Sequence, residues 1–155
     1  MNKDDIFNLL NSHNINYDIV YHNPVFTIEE MLKEQIPHPE YICKNLFVRD
    51  DKKKHYYLIS LKEDKKLNLK EFQERFNLRK LSFASCDDLM TYLGLTPGSV
   101  TPLGLLNNRE NNVIFYLDKD FKDGMIGIHP NTNTATIYLK TNDLLTLIKQ
   151  ETIIF

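Results

Sequence analysis

The chain has 155 residues, a formal net charge of −2 and 42% hydrophobic residues, a composition typical of a globular protein with a single domain. Its acidic N-terminus is unlike a signal peptide, and no apolar stretch approaches the roughly 20 residues that span a bilayer, so we expect a cytoplasmic protein without a membrane partner. The two cysteines, Cys43 and Cys86, form no motif, and we expect both to be reduced thiols.

Positive charge is concentrated in one part of the sequence. From Lys44 to Lys80 there are 12 Lys and Arg against 6 Asp and Glu, whereas the rest of the chain has 7 against 15. Such a cluster on an acidic protein indicates a polyanion-binding surface, but it is also found on a solvated hairpin and helix. Charge alone leaves both interpretations open.

Hydrophobic spacing predicts helices and strands along the whole chain. The predicted helices cover 4–13, 27–34, 68–76, 85–94 and 142–149, with Thr27, Asn68 and Ser85 as N-caps. The predicted strands cover 16–22, 41–49, 55–61, 79–85, 112–117, 125–129 and 134–139. Segment 95–108 contains two prolines and two glycines and is predicted to be irregular. The pattern indicates one α+β domain over residues 1–155.

Metal-ligand and nucleophile motifs do not stand out. The histidines lack paired spacing and neither cysteine has a nearby Cys partner, so we expect no metal and no cofactor; the histidines are His13, His22, His38, His55 and His129. Cys43 precedes Lys44, but neighbours in a strand point to opposite faces, which favours a packed thiol over a nucleophile. An arrangement of Ser99 with His129 stays open, although the sequence around Ser99 is no nucleophile elbow.

Three short segments are unusual for purely structural elements. In "YICKNLFVRD", Lys44 interrupts an apolar strand, where an unpaired ammonium group would be costly to bury. "GSVTPLG" (98–104) offers backbone amides that could hold a carbonyl oxygen or an oxyanion. "GIHPNTNTAT" (127–136) places Gly127, His129 and Asn131 where a strand meets a turn. Each segment alone is a weak indication.

Taken in order, these segments resemble the YbaK/ProX-like aminoacyl-tRNA deacylases, which are related to the editing domain of bacterial prolyl-tRNA synthetases. The motifs are "CKNLFVRD", "KKHYYLISLKEDKKLNLKEF", "GSVTPLGLLN" and "IGIHPNTNTATI". The resemblance extends over nearly the whole chain and is closest to the freestanding prolyl-tRNA editing proteins. It implies a compact α+β domain with a mixed, curved β-sheet surrounded by helices, and a reaction without a metal.

The resemblance also implies roles for particular residues. Lys44 matches the essential family lysine, which contacts the terminal adenosine or its phosphate and is the expected catalytic residue. Gly98 matches a glycine of the aminoacyl loop, and His129 matches a substrate-pocket position. The remaining expected substrate-binding residues are neighbours of these motifs and candidate pocket walls: Phe26, Ile28, Asn45, Phe47, Ser99, Val100, Pro102, Gly127 and Asn131.

The implied activity is hydrolysis of alanine from mischarged tRNA(Pro) in trans. The alternatives are a Cys-tRNA(Pro) deacylase and a non-catalytic tRNA-binding or synthetase-accessory module. The expected partner is tRNA(Pro), with prolyl-tRNA synthetase or an elongation factor as transient partners.

Overall fold

The computed structural model describes the backbone of residues 1–155 and all side chains except those of Ile28, Met31 and Leu32. The α-helices are α1 (Lys3–Ser12), α2 (Ile28–Lys33), α3 (Leu69–Arg75), α4 (Cys86–Leu93) and α5 (Thr141–Ile148). The strands are β1 (Tyr17–Tyr21), β2 (Cys43–Asp50), β3 (Tyr56–Lys62), β4 (Leu81–Phe83), β5 (Val113–Leu117), β6 (Met125–Ile128), β7 (Ala135–Lys140) and β8 (Thr152–Ile154). Short 3₁₀ turns occupy Pro39–Tyr41, Pro102–Asn107 and Lys119–Phe121.

The strands form two sheets. One is antiparallel, in the order β1-β7-β6, and the other is mixed, in the order β4-β2-β3-β5-β8. In the mixed sheet β2 pairs antiparallel with β3 and β4, whereas β5 pairs in parallel with β3 and β8. A single bridge between Ile42 and Gly127 joins the two sheets beside the start of β2. The expected α+β fold with a mixed sheet is confirmed.

The mixed sheet is buried on both faces. One face packs against the three-stranded sheet and helices α1, α4 and α5 in the main core. The opposite face is covered by α3, whose Phe72 packs against Val48, Tyr57 and Tyr116. Burial on both faces explains why β3 reads as a nearly continuous apolar run.

Three local features differ from the predicted elements. Strand β8 was not predicted, because three residues at the end of a chain carry little periodicity. Thr141 lies inside α5 rather than before it, and Lys140 is the N-cap. Part of the segment predicted to be irregular, Pro102–Asn107, forms a 3₁₀ turn capped by the Thr101 side chain.

Candidate active site

A cavity of about 280 Å³ opens at the start of β2. Four parts of the chain meet there: the segment before α2, the start of β2, the loop after α4 and the residue after β6. We call it the main cavity; its lining residues are Val25, Phe26, Thr27, Cys43, Lys44, Asn45, Gly98, Val100 and His129. Six of these residues were expected from the sequence to bind substrate. The structure therefore brings together motifs that lie up to about a hundred residues apart in the chain.

The loop wall of the main cavity is built on a β-turn. Ser99 N–H donates to the Thr96 carbonyl at 3.1 Å, Pro97 holds the second position, and Gly98 has φ of 87° at the third. Pro followed by a residue with positive φ is the pattern of a type II turn. A Cβ on Gly98 would lie 2.5 Å from the Phe26 ring. Glycine is therefore needed at position 98 both for its backbone conformation and for the close approach of Phe26.

Asn45 ties this loop to the sheet. Its Nδ2 donates to the Val100 carbonyl at 3.1 Å, and its Oδ1 accepts from Ser60 Oγ at 2.5 Å and from the Cys43 thiol at 3.3 Å. These partners fix the orientation of the amide, because an amide oxygen accepts and an amide nitrogen donates. The loop is thus held at a set distance from β2.

Two backbone amides of the loop are available to a ligand. Ser99 N–H is used inside the turn, but the N–H groups of Gly98 and Val100 have no protein acceptor among the residues described here. Both residues line the main cavity. Two such donors beside a cavity can stabilise a negatively charged oxygen.

The His129 ring is oriented by a backbone carbonyl. Its Nδ1 lies 2.9 Å from the Ala135 carbonyl oxygen, which can only accept, so Nδ1 carries the hydrogen. Burial, and secondarily the nearby His22, lower the pKa of His129 below its usual value. At neutral pH the ring is therefore uncharged, and Nε2 is a hydrogen-bond acceptor.

Lys44 lines the main cavity, but its ammonium group contacts the Lys65 carbonyl, in the turn after β3. Strand alternation sends the side chains of Lys44 and Leu46 to the face opposite Cys43 and Asn45. The flexible stem of Lys44 thus carries a charge at the edge of the cavity. Its ammonium is held by one neutral acceptor rather than by a carboxylate.

A second cavity adjoins the first. It shares Asn45, Gly98 and Val100 with the main cavity and has a volume of about 290 Å³. We call it the edge cavity; its other lining residues are Leu46, Phe47, Phe83, Ala84, Ser85, Cys86, Leu89 and Pro97. Phe47 is buried and stacks on Tyr56 at 5.7 Å between ring centroids, so it belongs to the core as well as to this wall.

The remaining expected residues lie outside both cavities. Ser99 and Pro102 are buried in the loop and the following 3₁₀ turn. Gly127 allows close packing, because a Cβ there would lie 2.9 Å from the Tyr138 ring. Asn131 has φ of 57° and donates from Nδ2 to the Met1 carbonyl at 2.9 Å. Their contact with substrate stays a prediction, and the Ile28 side chain lies outside the described residues.

Sequence reasoning missed three lining residues, Val25, Thr27 and Cys43, and the anchor Ser60. Val25 and Thr27 flank Phe26, but no local pattern shows that this segment faces the loop after α4. Ser60 is fully buried in β3 directly opposite Asn45. A serine in an apolar strand paired with an asparagine could have indicated a polar network, had the register been known.

The Cys43 thiol is unsuited to nucleophilic chemistry. Burial, and secondarily the charge of Asp118, raise the pKa of Cys43 to about 12. The attacking species in thiol chemistry is the thiolate, which is scarce at neutral pH when the pKa is this high. The thiol instead donates to the Asn45 network.

The basic segment from Lys44 to Lys80 has lysines in ion pairs at one end of the β2–β3 hairpin and, within the described part of the chain, unpaired lysines at the other. Lys65 pairs with Asp118 at 2.8 Å and with Asp120 at 2.6 Å. At the opposite end of the β2–β3 hairpin, Lys52–Lys54 form an exposed turn, which we call the basic turn. Its lysines have no carboxylate partner among the described side chains. Unpaired positive charge is therefore concentrated at that end.

Across the described residues, no three His, Cys, Asp or Glu side chains gather as a metal site would require. In the same part of the chain, no helix has the length and apolarity needed to cross a membrane.

Comparisons with known proteins identify the family. A model of the aminoacyl-tRNA editing domain matches residues 22–147. Prolyl-tRNA editing protein ProX of Acetoanaerobium sticklandii is 44% identical over 136 residues, covering 87% of this chain and 83% of that protein. Prolyl-tRNA synthetase associated domain-containing protein 1 of Mus musculus is 35% identical over 144 residues, covering 87% and 82%.

A solved structure supports the fold. It is described as "a putative trans-editing enzyme for prolyl tRNA synthetase", has a TM-score of 0.71 and 18% identity, and covers 97% of this chain and 93% of its own. The resemblance found in the sequence and its enzyme class, an aminoacyl-tRNA deacylase, are confirmed by these matches. The chain belongs to the aminoacyl-tRNA editing domain family.

Proposed function

We propose that this protein hydrolyses Ala-tRNA(Pro) in trans, releasing alanine and free tRNA(Pro). The observation that carries the proposal is the main cavity, where two unpaired loop amides, a neutral histidine and a movable lysine surround a small space. Support for the proline tRNA comes from the relative named as a prolyl-tRNA editing protein, at 44% identity. Since aminoacyl-tRNA is made and used in the cytoplasm, the proposal also implies that the protein acts there.

Ester hydrolysis needs few protein groups. The oxygen of a water molecule attacks the ester carbonyl carbon, the bond from that carbon to the ribose oxygen breaks, and the ribose oxygen takes a proton. The vicinal ribose hydroxyl can position the water and shuttle the proton. The protein then contributes orientation and stabilisation of the developing oxyanion.

Each polar group in the main cavity has a role in this scheme. The amides of Gly98 and Val100 donate to the carbonyl oxygen as it becomes negative. Nε2 of His129 accepts from the α-ammonium group that every aminoacyl ester carries. Lys44 exchanges the Lys65 carbonyl for a phosphate of the terminal nucleotide, a stronger, charge-assisted partner.

We expect the main cavity, whose volume is about 280 Å³, to select the aminoacyl group by the placement of its apolar walls. Phe26 and Val100 form the apolar walls. Because attraction discriminates weakly between small apolar side chains, at about 1–3 kcal/mol per methylene, we expect steric exclusion to set the specificity.

The experiment measures release of amino acid from Ala-tRNA(Pro) and Cys-tRNA(Pro) by the same enzyme preparation. Faster release of alanine is the expected result. Faster release of cysteine would assign the sister activity, Cys-tRNA(Pro) deacylation. Binding of both tRNAs without catalysed release would establish the non-catalytic, synthetase-accessory alternative.

A further inference from the structure

The edge cavity is not needed to hold an aminoacyl group, yet it adjoins the main cavity. Asn45, Gly98 and Val100 line both, so the two cavities lie side by side along this wall. The edge cavity also contains an aromatic ring that packing does not explain. Phe83, on the edge strand β4, is 62% exposed.

Phe83 lies at the open edge of the mixed sheet, because β4 is an edge strand. There it lines the edge cavity together with Asn45, Phe47 and the loop residues Gly98 and Val100. A nucleotide in the edge cavity would therefore have an exposed aromatic ring beside it. Aromatic rings in this kind of position are what single-stranded nucleic acid uses for base stacking.

The charges of the molecule indicate where the strand continues. Beyond Phe83, β4 runs antiparallel to β2 and leads back to Lys80, which is exposed beside the basic turn. Measured along the paired strand β2, the distance from Asn45 to Asp50 is about 17 Å, at roughly 3.3 Å per residue. The opposite end of the hairpin is less favourable for a polyanion, because a cavity there has four carboxylates against two lysines: Glu40, Glu63, Asp64 and Asp120 against Lys62 and Lys65.

We propose that the edge cavity binds the nucleotide preceding the terminal adenosine of the tRNA 3′ end, with its base stacked on Phe83. The acceptor strand then follows β4 towards Lys80 and the basic turn. This inference rests on the proposed deacylase function and adds to it a second nucleotide subsite and a direction for the RNA.

The test compares two substrates that differ only in the nucleotides that precede the terminal adenosine. One is alanyl-adenosine, which ends at the terminal nucleoside, and the other is an alanylated RNA minihelix with a single-stranded CCA end. Phe83→Ala should lower the ratio of kcat/KM for the minihelix to kcat/KM for alanyl-adenosine by about five- to tenfold, a typical contribution of one stacked base. Phe83→Trp should restore the ratio, because it keeps an aromatic surface.

The matched control is Ile114→Ala. Ile114 is an exposed apolar side chain of the same sheet, on β5, three strands from β4. The Ile114→Ala variant should leave the ratio of the two kcat/KM values at the wild-type value. A second arm reverses Lys52, Lys53 and Lys54 to Glu, which should raise KM for the minihelix several-fold and flatten its salt dependence. The same charge reversal at the exposed lysines Lys119, Lys122 and Lys140 is its control.

The outcomes separate the two proposals. If the wild-type protein hydrolyses neither substrate, the deacylase function is wrong. If it hydrolyses both and Phe83→Ala leaves the ratio at the wild-type value, the edge cavity is not a nucleotide subsite, while the deacylase function stands. If the ratio falls but the basic-turn reversal behaves like its control, the strand does not follow β4 and the proposed direction is overturned.

Discussion

Lys44 and Asn45 are neighbours on β2, but their side chains have different surroundings. Asn45 is held by three hydrogen bonds that join β2, β3 and the loop after α4. Lys44 emerges on the other face, at the end of a flexible stem, with a single carbonyl as partner. Asn45 fixes the geometry of the cavity, and we propose that Lys44 supplies a charge that moves to the substrate.

This contrast predicts different consequences of substitution on the two faces. Loss of the movable charge should reduce catalysis without affecting the fold. Loss of the Asn45 amide should reduce both catalysis and stability, because the contacts that orient the loop also satisfy buried polar groups.

The largest effect is expected for Lys44→Ala. Without the ammonium group the phosphate of the terminal nucleotide loses its charged partner, and kcat/KM for Ala-tRNA(Pro) should fall on the order of 100-fold or more. The melting temperature should stay at the wild-type value. Lys44→Arg should also be poor, since guanidinium is larger and planar.

Lys66→Ala is the matched control for Lys44, because Lys66 is an exposed lysine near the same turn and lines neither cavity. It should retain full activity. Near-normal deacylation by a well-folded Lys44→Ala protein would contradict the role given to Lys44.

Asn45→Asp should have the next largest effect. The variant keeps an acceptor for Ser60 but loses the donor to the Val100 carbonyl, so two oxygens would face each other. We expect kcat to fall at least tenfold and the free energy of unfolding to fall by about 1–3 kcal/mol, the usual cost of an unsatisfied buried group. Chemical denaturation measures the second quantity. An unchanged kcat would show that the loop needs no anchor.

Gly98→Ala should have a smaller effect, about fivefold to tenfold on kcat/KM, because the methyl group displaces Phe26 and the positive φ costs about 1 kcal/mol. Gly124→Ala is the matched control. A Cβ on Gly124 meets its nearest neighbour, the Phe121 carbonyl, at an ordinary 3.6 Å. Equal activities of the two variants would show that the turn conformation does not matter.

The smallest effect is expected for Cys43→Ser. A thiol whose pKa is about 12 is protonated throughout the physiological range, so activity should stay within about twofold of wild type. Some stability should be lost, because a hydroxyl is costlier to bury. Inactivity of a folded Cys43→Ser protein would instead support Cys43 as the nucleophile.

The sequence predicted the elements that have strong periodicity or recognisable caps. It also predicted the motif residues Lys44, Gly98 and His129, which meet at the main cavity. Ser85 and Asn68 cap their helices as expected. Asn2 was missed as the cap of α1, because the predicted helix began one residue late. The pocket walls were predicted less well, since contacts such as that between Phe26 and Gly98 depend on tertiary approach. Phe47, a suggested wall, is chiefly a core residue.

The most direct test of the central claim is hydrolysis of Ala-tRNA(Pro) and Pro-tRNA(Pro) under identical conditions. We expect rapid release of alanine and essentially no release of proline, because we propose that Phe26 and Val100 exclude the proline ring sterically. Val100→Ala, which enlarges the main cavity without touching the core residue Phe47, should then admit proline to a measurable degree. Efficient release of proline by the wild-type enzyme would contradict the proposed size exclusion.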